Sequence, residues 1–215
     1  MSEKLLDLFL LILFSTVATG AYLLGHILAG LLAGERIEEA SFFYGKILFR
    51  IKTRIFPIAI GTIPTGGSVN FGLEFQNRSL PTRWFVIVSG PLAVLLTSAV
   101  VLRCDLAVVA FVSGFEQIFQ GAFSPLVNGQ RLVHQFFQTS LNTSPLIAYG
   151  IFAAKVSAFN LLPIPSFNGG RIITEAIPGF QKSNWAFGIQ LAGILFGLVL
   201  FLCWVVAFLA YLWSS

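Results

Sequence analysis

Runs of apolar residues long enough to cross a lipid bilayer constrain this chain more than any other feature of its sequence. A hydrocarbon core about 30 Å thick takes about 20 apolar residues of helix. Four such segments are predicted as transmembrane helices: 5–33, 84–102, 145–162 and 185–213. The chain is only 10% charged, whereas soluble domains have about 25% charged residues. We therefore predict an α-helical polytopic membrane protein, folded over residues 1–215 as a single integral membrane domain.

Two segments between these spans have a different character. Residues 41–71 are rich in aromatic and β-branched residues and contain the turn-forming run Pro64-Thr65-Gly66-Gly67, which predicts a small membrane-associated β-hairpin or sheet. Residues 106–143 mix apolar side chains with polar ones such as Glu116 and His134. This mixture predicts an amphipathic segment on the membrane surface, with a further span as the alternative.

The basic residues are distributed unevenly between the two sides of this arrangement. Seven lie between the first and second spans, and Arg171 and Lys182 follow the third. The opposite side would hold three: Lys4, Arg103 and Arg131. The positive-inside rule then puts the first loop and the turn at Asn168 in the cytoplasm and both termini outside. No basic cluster is interleaved with exposed aromatic residues, so nucleic-acid binding is not expected.

The stretch Asn160–Arg171 reads Asn-Leu-Leu-Pro-Ile-Pro-Ser-Phe-Asn-Gly-Gly-Arg. Its two prolines favour extended backbone, and Asn168-Gly169-Gly170 predicts a turn in which Asn168 tolerates a left-handed conformation. Irregular backbone beside a span is tolerated where protein buries it or where it lines a cavity. We therefore predict a site here. The predicted topology brings Asn168 to the same side as Tyr22 and His26, which share one face of the first helix.

These residues resemble the site-2 protease family of intramembrane zinc metalloproteases. In that family the first core span carries H-E-x-x-H, and a β-hairpin with a proline and paired glycines follows. A later span leads into N-x-x-P-x-P-x-x-D-G-G-R, whose Asp is the third metal ligand. The corresponding stretches here occur in the same order: Tyr22–His26, Ile63–Gly67, Ser89–Ala93 and Asn160–Arg171. The resemblance implies the family's three-span core.

The departures from the family pattern fall on the residues that the chemistry needs. Tyr22 occupies the position of the first His, Leu23 that of the Glu, and Asn168 that of the Asp. His26 is the only ligand-type residue retained. A catalytic zinc takes three protein ligands, and the Glu serves as general base for the metal-bound water. We therefore expect no catalytic residues, no metal ligand set and no cofactor, and expect His26 to bond Asn168 or a backbone carbonyl.

The resemblance and its departures together predict a pseudoprotease that binds or scaffolds transmembrane or membrane-adjacent polypeptides. Strand addition to the hairpin would need only backbone groups. The residues predicted to contact a substrate or partner are Asn160, Pro163, Pro165, Gly66 and Gly67. Expected partners are the lipid bilayer and other membrane proteins, and the expected location is the bacterial cytoplasmic membrane.

Two alternatives stay open at this stage. The first is a divergent intramembrane metalloprotease that holds zinc near His26 and hydrolyses peptides. The second is a structural subunit of a larger membrane protein complex, in which an aromatic-rich surface packs against other subunits. The sequence contains 23 Phe residues, but exposed aromatic side chains are equally compatible with lipid contact.

Overall fold

The computed structural model describes residues 3–180 and 183–214, so Lys182, which entered the charge comparison, lies outside the described residues. The described chain contains seven α-helices: α1 (Glu3–Leu32), α2 (Leu80–Leu102), α3 (Cys104–Phe123), α4 (Gln130–Asn142), α5 (Pro145–Asn160), α6 (Asn168–Ala176) and α7 (Ala186–Trp213). Two strands, β1 (Ile37–Lys52) and β2 (Pro57–Phe71), lie between α1 and α2. A 3-10 turn (Leu73–Asn77) precedes α2, and a π-helical turn (Pro125–Gly129) joins α3 to α4.

Four described helices are long and apolar enough to cross a membrane, judged by length and composition: α1, α2, α3 and α7. Together with the sheet that follows α1, they confirm the predicted class of a helical polytopic membrane protein with a small β-structure. The β-structure was predicted over residues 41–71, whereas β1 begins four residues earlier, at Ile37.

The third predicted span, 145–162, differs from the helix found there. Helix α5 has 16 residues and ends at Asn160, which gives it a length of about 24 Å at 1.5 Å per residue. It lies at the centre of the bundle, in contact with α1, α2 and α3. Five of its small residues have no exposed surface: Ala148, Ala153, Ala154, Ser157 and Ala158. Small side chains let neighbouring helices approach closely, which explains how a short helix can occupy this central position.

The segment 106–143 also differs from its prediction as a surface segment. Its first part belongs to α3, which has the length and apolar composition of a span and packs against α5 and α7. Two polar residues of α3 bond each other within the helix, since Gln120 Nε2 donates to Glu116 Oε1 at 2.5 Å. Gly121 provides close contact with Trp204 of α7. The shorter α4 is the amphipathic part, and its buried Val133 and Phe137 pack on Tyr211.

The sheet consists of two long antiparallel strands that both bend. Positive φ angles of 71° at Phe43, 89° at Gly45 and 61° at Gly66 mark the bends. Three consecutive residues of β1 pair on both sides, with 58–60 on one side and 67–69 on the other: Ala40, Ser41 and Phe42. The beginning of β1 is therefore an inner segment of the sheet, and the ends of the two strands lie at its edges.

This sheet lies along α1. Ser15 Oγ donates to the Pro64 carbonyl at 3.1 Å, 17 residues before α1 ends at Leu32. That separation corresponds to about 25 Å along the helix. Gly30 packs against Phe71, and Gly20 lies in van der Waals contact with Phe42. One bend of the sheet therefore lies beside the middle of a helix of membrane-spanning length.

The first and last helices meet at the end of the molecule opposite to His26. Tyr211 Oη donates to Asp7 Oδ2 at 2.6 Å, and Lys4 Nζ donates to the Tyr211 carbonyl at 3.0 Å. His26 lies 19 residues beyond Asp7 on α1, which is about 28 Å along the helix axis. His134 packs on the Tyr211 ring, with 5.9 Å between ring centroids, so the two histidines lie at opposite ends of the molecule.

Candidate functional site

Glycines at the contact between α1 and α2 determine how closely the two helices approach at His26. A Cβ atom on Gly25 would lie 2.5 Å from the Ser89 carbonyl oxygen and 2.6 Å from the Ala93 Cβ. A Cβ atom on Gly90 would overlap the His26 imidazole. The rings of Tyr22 and His26, four residues apart, meet edge to face with centroids 4.5 Å apart. Both side chains are thereby held against α2.

Pro91 creates a hydrogen-bond acceptor inside α2. Because proline has no backbone N–H, the carbonyl four residues earlier, that of Ile87, loses its helical partner. Asn168 Nδ2 donates to this carbonyl at 2.5 Å. In the preceding position, the Val86 carbonyl accepts from His26 Nδ1 at 2.7 Å and from Ser89 Oγ at 2.6 Å. Two consecutive carbonyls of α2 thus bind the side chains of the site.

Asn168 is the first residue of α6. The prediction that it takes a left-handed turn conformation is wrong, since the residue of this stretch with positive φ is Ser166, at 81°. The adjacent glycines serve close packing, because a Cβ on Gly169 would overlap the Leu161 carbonyl and one on Gly170 the Ile164 carbonyl. This packing turns the Asn168 side chain inward, where it is 7% exposed.

Three side chains then join in one network, which we call the Tyr22–Asn168–His26 network. Tyr22 Oη donates to Asn168 Oδ1 at 2.8 Å, and Asn168 Nδ2 lies 3.3 Å from His26 Nε2. Because Nδ1 of His26 donates to the Val86 carbonyl, Nε2 is the acceptor in the neutral ring. His26 therefore bonds both Asn168 and a backbone carbonyl. Buried polar groups need such partners, and each side chain of the network has at least one.

The residues of this site do not fit the zinc ion that the family resemblance implies. The Nε2 lone pair of His26 faces the Asn168 amide, and Nδ1 is engaged by α2. Leu23, at the general-base position, is buried against Gly67 of the sheet and has no group that accepts a proton. Within residues 3–180 and 183–214, no three His, Cys, Asp or Glu side chains are grouped closely enough to hold a metal. A catalytic zinc takes three protein ligands.

A cavity of about 180 Å³ opens beside the network. Its lining includes Tyr44 and 67–69 of β2, together with Ser166 and Arg171 around α6. Tyr22, His26 and Asn168 belong to the same lining. Tyr44 Oη donates to the Gly67 carbonyl at 3.1 Å. A strand and the network therefore border one cavity.

The five residues predicted to contact a substrate or partner are dispersed. Gly67 lines the cavity, and Gly66 packs against the Tyr44 ring. Asn160 Nδ2 donates to the Val156 carbonyl at 2.8 Å, within its own helix. Pro163 is exposed, and Pro165 packs on Gly193 of α7. Of these five described residues, the structure brings Gly67 to the cavity and leaves the other four outside its lining.

An ion pair holds α6, and with it Asn168, against α2. Arg83 Nη1 pairs with Glu175 Oε2, and the two side chains are 18% and 8% exposed. One residue further on, Trp84 Nε1 donates to the Ile172 carbonyl at 3.1 Å. The sequence does not indicate this pair, because the two residues are 92 positions apart. The carbonyls of Val86 and Ile87 are not predicted as partners either, although Pro91, four residues after Ile87, indicates a free acceptor.

A comparison with known protein families gives one match. The sequence profile described as Peptidase family M50 matches residues 9–204. This range contains Tyr22 and His26 of α1, the sheet, and the stretch that carries Asn168. The chain has no match among curated proteins. Because the profile covers most of the chain, the protein belongs to Peptidase family M50, the site-2 protease family.

Proposed function

We propose that this chain is a non-catalytic member of the site-2 protease family that binds transmembrane or membrane-adjacent polypeptides without cleaving them. The observation that carries the proposal is the Tyr22–Asn168–His26 network. It places hydrogen bonds between protein groups where the family resemblance implies a metal ion and its ligands.

Hydrolysis needs a nucleophilic water and a group that removes its proton. Leu23 cannot accept a proton. The one imidazole of the site already donates from Nδ1 to Val86, and its Nε2 faces Asn168. These side chains therefore supply neither metal activation nor general-base catalysis.

Binding of a polypeptide needs neither a metal ion nor a general base. Residues 67–69 of β2 pair with β1 on one side and line the cavity. An extended polypeptide added to a sheet edge gains backbone hydrogen bonds without any catalytic group.

The proposal includes a location in the bacterial cytoplasmic membrane, with the first loop and Asn168 on the cytoplasmic side and both termini outside. Two observations support placing the first loop with Asn168 on one side and both termini on the other. The sheet and Asn168 line one cavity, and Asp7 near the start of the chain bonds Tyr211 near its end. The excess of basic residues between α1 and α2 supports the cytoplasmic assignment of that side.

Photocrosslinking in bacterial membranes tests the proposed function. Benzoylphenylalanine replaces Val69, which lines the cavity, or Leu198, which is exposed on α7 and serves as the matched control. We expect position 69, and not position 198, to crosslink to an extended segment of a membrane polypeptide. Mass spectrometry should find that polypeptide at full length.

Two other outcomes would contradict the proposal. Shortened products that disappear in His26→Ala would indicate the divergent protease. A single partner that crosslinks equally at both positions and copurifies at fixed stoichiometry would indicate a constitutive subunit of a membrane complex.

A further inference from the structure

The outer end of the hairpin is rich in basic residues. It does not line the cavity to which polypeptide binding is assigned. Between residues 40 and 73 the chain contains four basic residues and no acidic one: Lys46, Arg50, Lys52 and Arg54. Three of them lie within the short segment 50–56, which we call the basic hairpin tip. This segment includes the end of β1 and the turn that leads into β2.

The strand that leads into the tip has two chemically distinct faces. The pairing of β1 with β2 is regular over residues 49–52, after a register shift between Ile47 and Phe49. Side chains of a regular strand alternate between its faces, so Arg50 and Lys52 share one face. The opposite face carries two apolar side chains that are 61% and 50% exposed: Phe49 and Ile51. All residues from Lys46 to Lys52 are exposed, so neither face is covered by the described part of the protein.

The turn at the tip is held in one conformation by Thr53. Its hydroxyl donates to the Phe56 carbonyl at 2.6 Å and accepts from the backbone N–H groups of Ile55 and Phe56 at 3.3 and 3.2 Å. Ile55, at the end of the turn, is 72% exposed. The tip therefore presents its cations and an isoleucine on an ordered turn.

The position of the tip relative to α1 indicates what covers it. Arg50 pairs with Glu39 at 3.5 Å, and Ile58 pairs with Ala40. Glu39 follows the end of α1 by seven residues, since α1 ends at Leu32. The tip is thus near the level at which a spanning helix leaves the hydrocarbon, whereas the other bend lies beside the middle of α1 at Ser15. Phospholipid headgroups occupy that level.

We propose that the basic hairpin tip binds the headgroups of anionic phospholipids in the leaflet at the Leu32 end of α1. The cationic face contacts the phosphates, and the apolar face of Phe49 and Ile51 enters the boundary between headgroups and acyl chains. Amphipathic basic elements bind anionic membrane surfaces in this way. The proposal does not depend on whether the chain hydrolyses peptides.

A lipid-selectivity measurement on the full chain tests the proposal. Purified protein is equilibrated in mixed micelles with equal amounts of phosphatidylglycerol and phosphatidylcholine of the same acyl chains, and bound lipid is counted by mass spectrometry. We expect wild type to prefer phosphatidylglycerol, and K52Q/R54Q to reduce this preference about 25-fold. Each cation near an anionic surface contributes a factor of about five.

Two variants complete the design. R103Q/R131Q removes the same charge elsewhere: Arg103 is 84% exposed beside Asp105, and Arg131 contacts Asn128. K52R/R54K keeps the charge of the tip. Both should retain the wild-type preference. Equal binding of the two lipids by wild type would overturn the proposal, as would an unchanged preference in K52Q/R54Q or an equal loss in R103Q/R131Q.

Discussion

At the scale of single residues, Asn168 is the group on which the site depends. Its amide oxygen accepts from Tyr22, and its amide nitrogen faces two acceptors, the Ile87 carbonyl and His26 Nε2. The Asp of the family motif cannot make this pattern when ionised, because a carboxylate has acceptors only. The neutral amide therefore bonds Tyr22, His26 and the Ile87 carbonyl at once. A carboxylate at this position would need a bound cation between it and the two acceptors.

Replacing Asn168 by Asp without added metal should destabilise the protein. The carboxylate would place an acceptor against two buried acceptors, which costs about 2 kcal/mol or more. The melting temperature in detergent measures this effect. The matched control is Asn128→Asp, where the amide oxygen accepts from Arg131 at 3.2 Å and a carboxylate keeps that bond. We expect little change in the control. An Asn168→Asp variant as stable as wild type would contradict the described network.

The sequence predicts the side chains of this site and the bonding of His26 to Asn168 or a backbone carbonyl, whereas it does not predict which carbonyls take part. The i and i+4 spacing places Tyr22 and His26 on one helical face, and the family motif identifies Asn168. The partners of His26 and Asn168 on α2 are backbone carbonyls, which carry no residue-specific signal except the one given by Pro91. The turn conformation assigned to Asn168 failed because Gly169 and Gly170 serve packing instead.

At the scale of elements, the site exists because α1 and α2 are in close contact at two glycines. Gly90→Ala should destabilise the protein by about 2 kcal/mol, since the added methyl overlaps His26 and presses on Tyr22 in a close-packed interior. Gly188→Ala on α7 is the control, because nothing lies within 4 Å of its added Cβ. That change should leave the melting temperature equal or higher. Similar losses in both variants would argue against the described helix contact.

The ion pair between Arg83 and Glu175 should stabilise the position of α6. Removing one partner, as in Glu175→Gln, leaves a largely buried charge and costs about 3 kcal/mol. The double variant Arg83→Met/Glu175→Leu should recover most of this loss. Asp105→Asn serves as the control, because the Arg103–Asp105 pair is 84% and 65% exposed and such pairs contribute less than about 1 kcal/mol. Chemical denaturation of the four proteins measures these differences, and a double variant that is no more stable than Glu175→Gln would contradict the pairing.

The sequence predicts α1, α2 and α7 as spans because each contains a long apolar run. The pattern of α5 is different, because its surroundings are other helices and its small residues serve packing. Hydropathy measures transfer into lipid and does not distinguish a central helix from a spanning one. The polar residues of α3 lowered its apparent hydropathy, although Glu116 and Gln120 bond each other on the same helix.

At the scale of the whole molecule, the fold and the family followed from apolar runs and motif order, and the family match over residues 9–204 confirms both. The sequence does not predict how the sheet lies beside α1. That position depends on bends at Phe43, Gly45 and Gly66 and on long-range contacts such as the one between Ser15 and Pro64. Such contacts leave no local pattern in the sequence.

The fold should bind zinc when positions 22, 23 and 168 carry the residues of the family motif. In Tyr22→His/Leu23→Glu/Asn168→Asp, the changed side chains at 22 and 168 face His26, so three ligand-type groups converge. We expect about one zinc per chain and a melting temperature that rises with added zinc. The same variant carrying His26→Ala should lose both effects. A folded triple variant that binds no zinc would contradict the assignment of these positions.

Hydrogen bonds of Tyr22, Asn168 and His26 occupy the position where the family motif implies zinc. The decisive experiment is elemental analysis of the wild-type protein, purified without chelator, beside His26→Ala. We expect much less than one zinc per chain in both proteins. One zinc per chain in wild type that is absent from His26→Ala would overturn the assignment of this network.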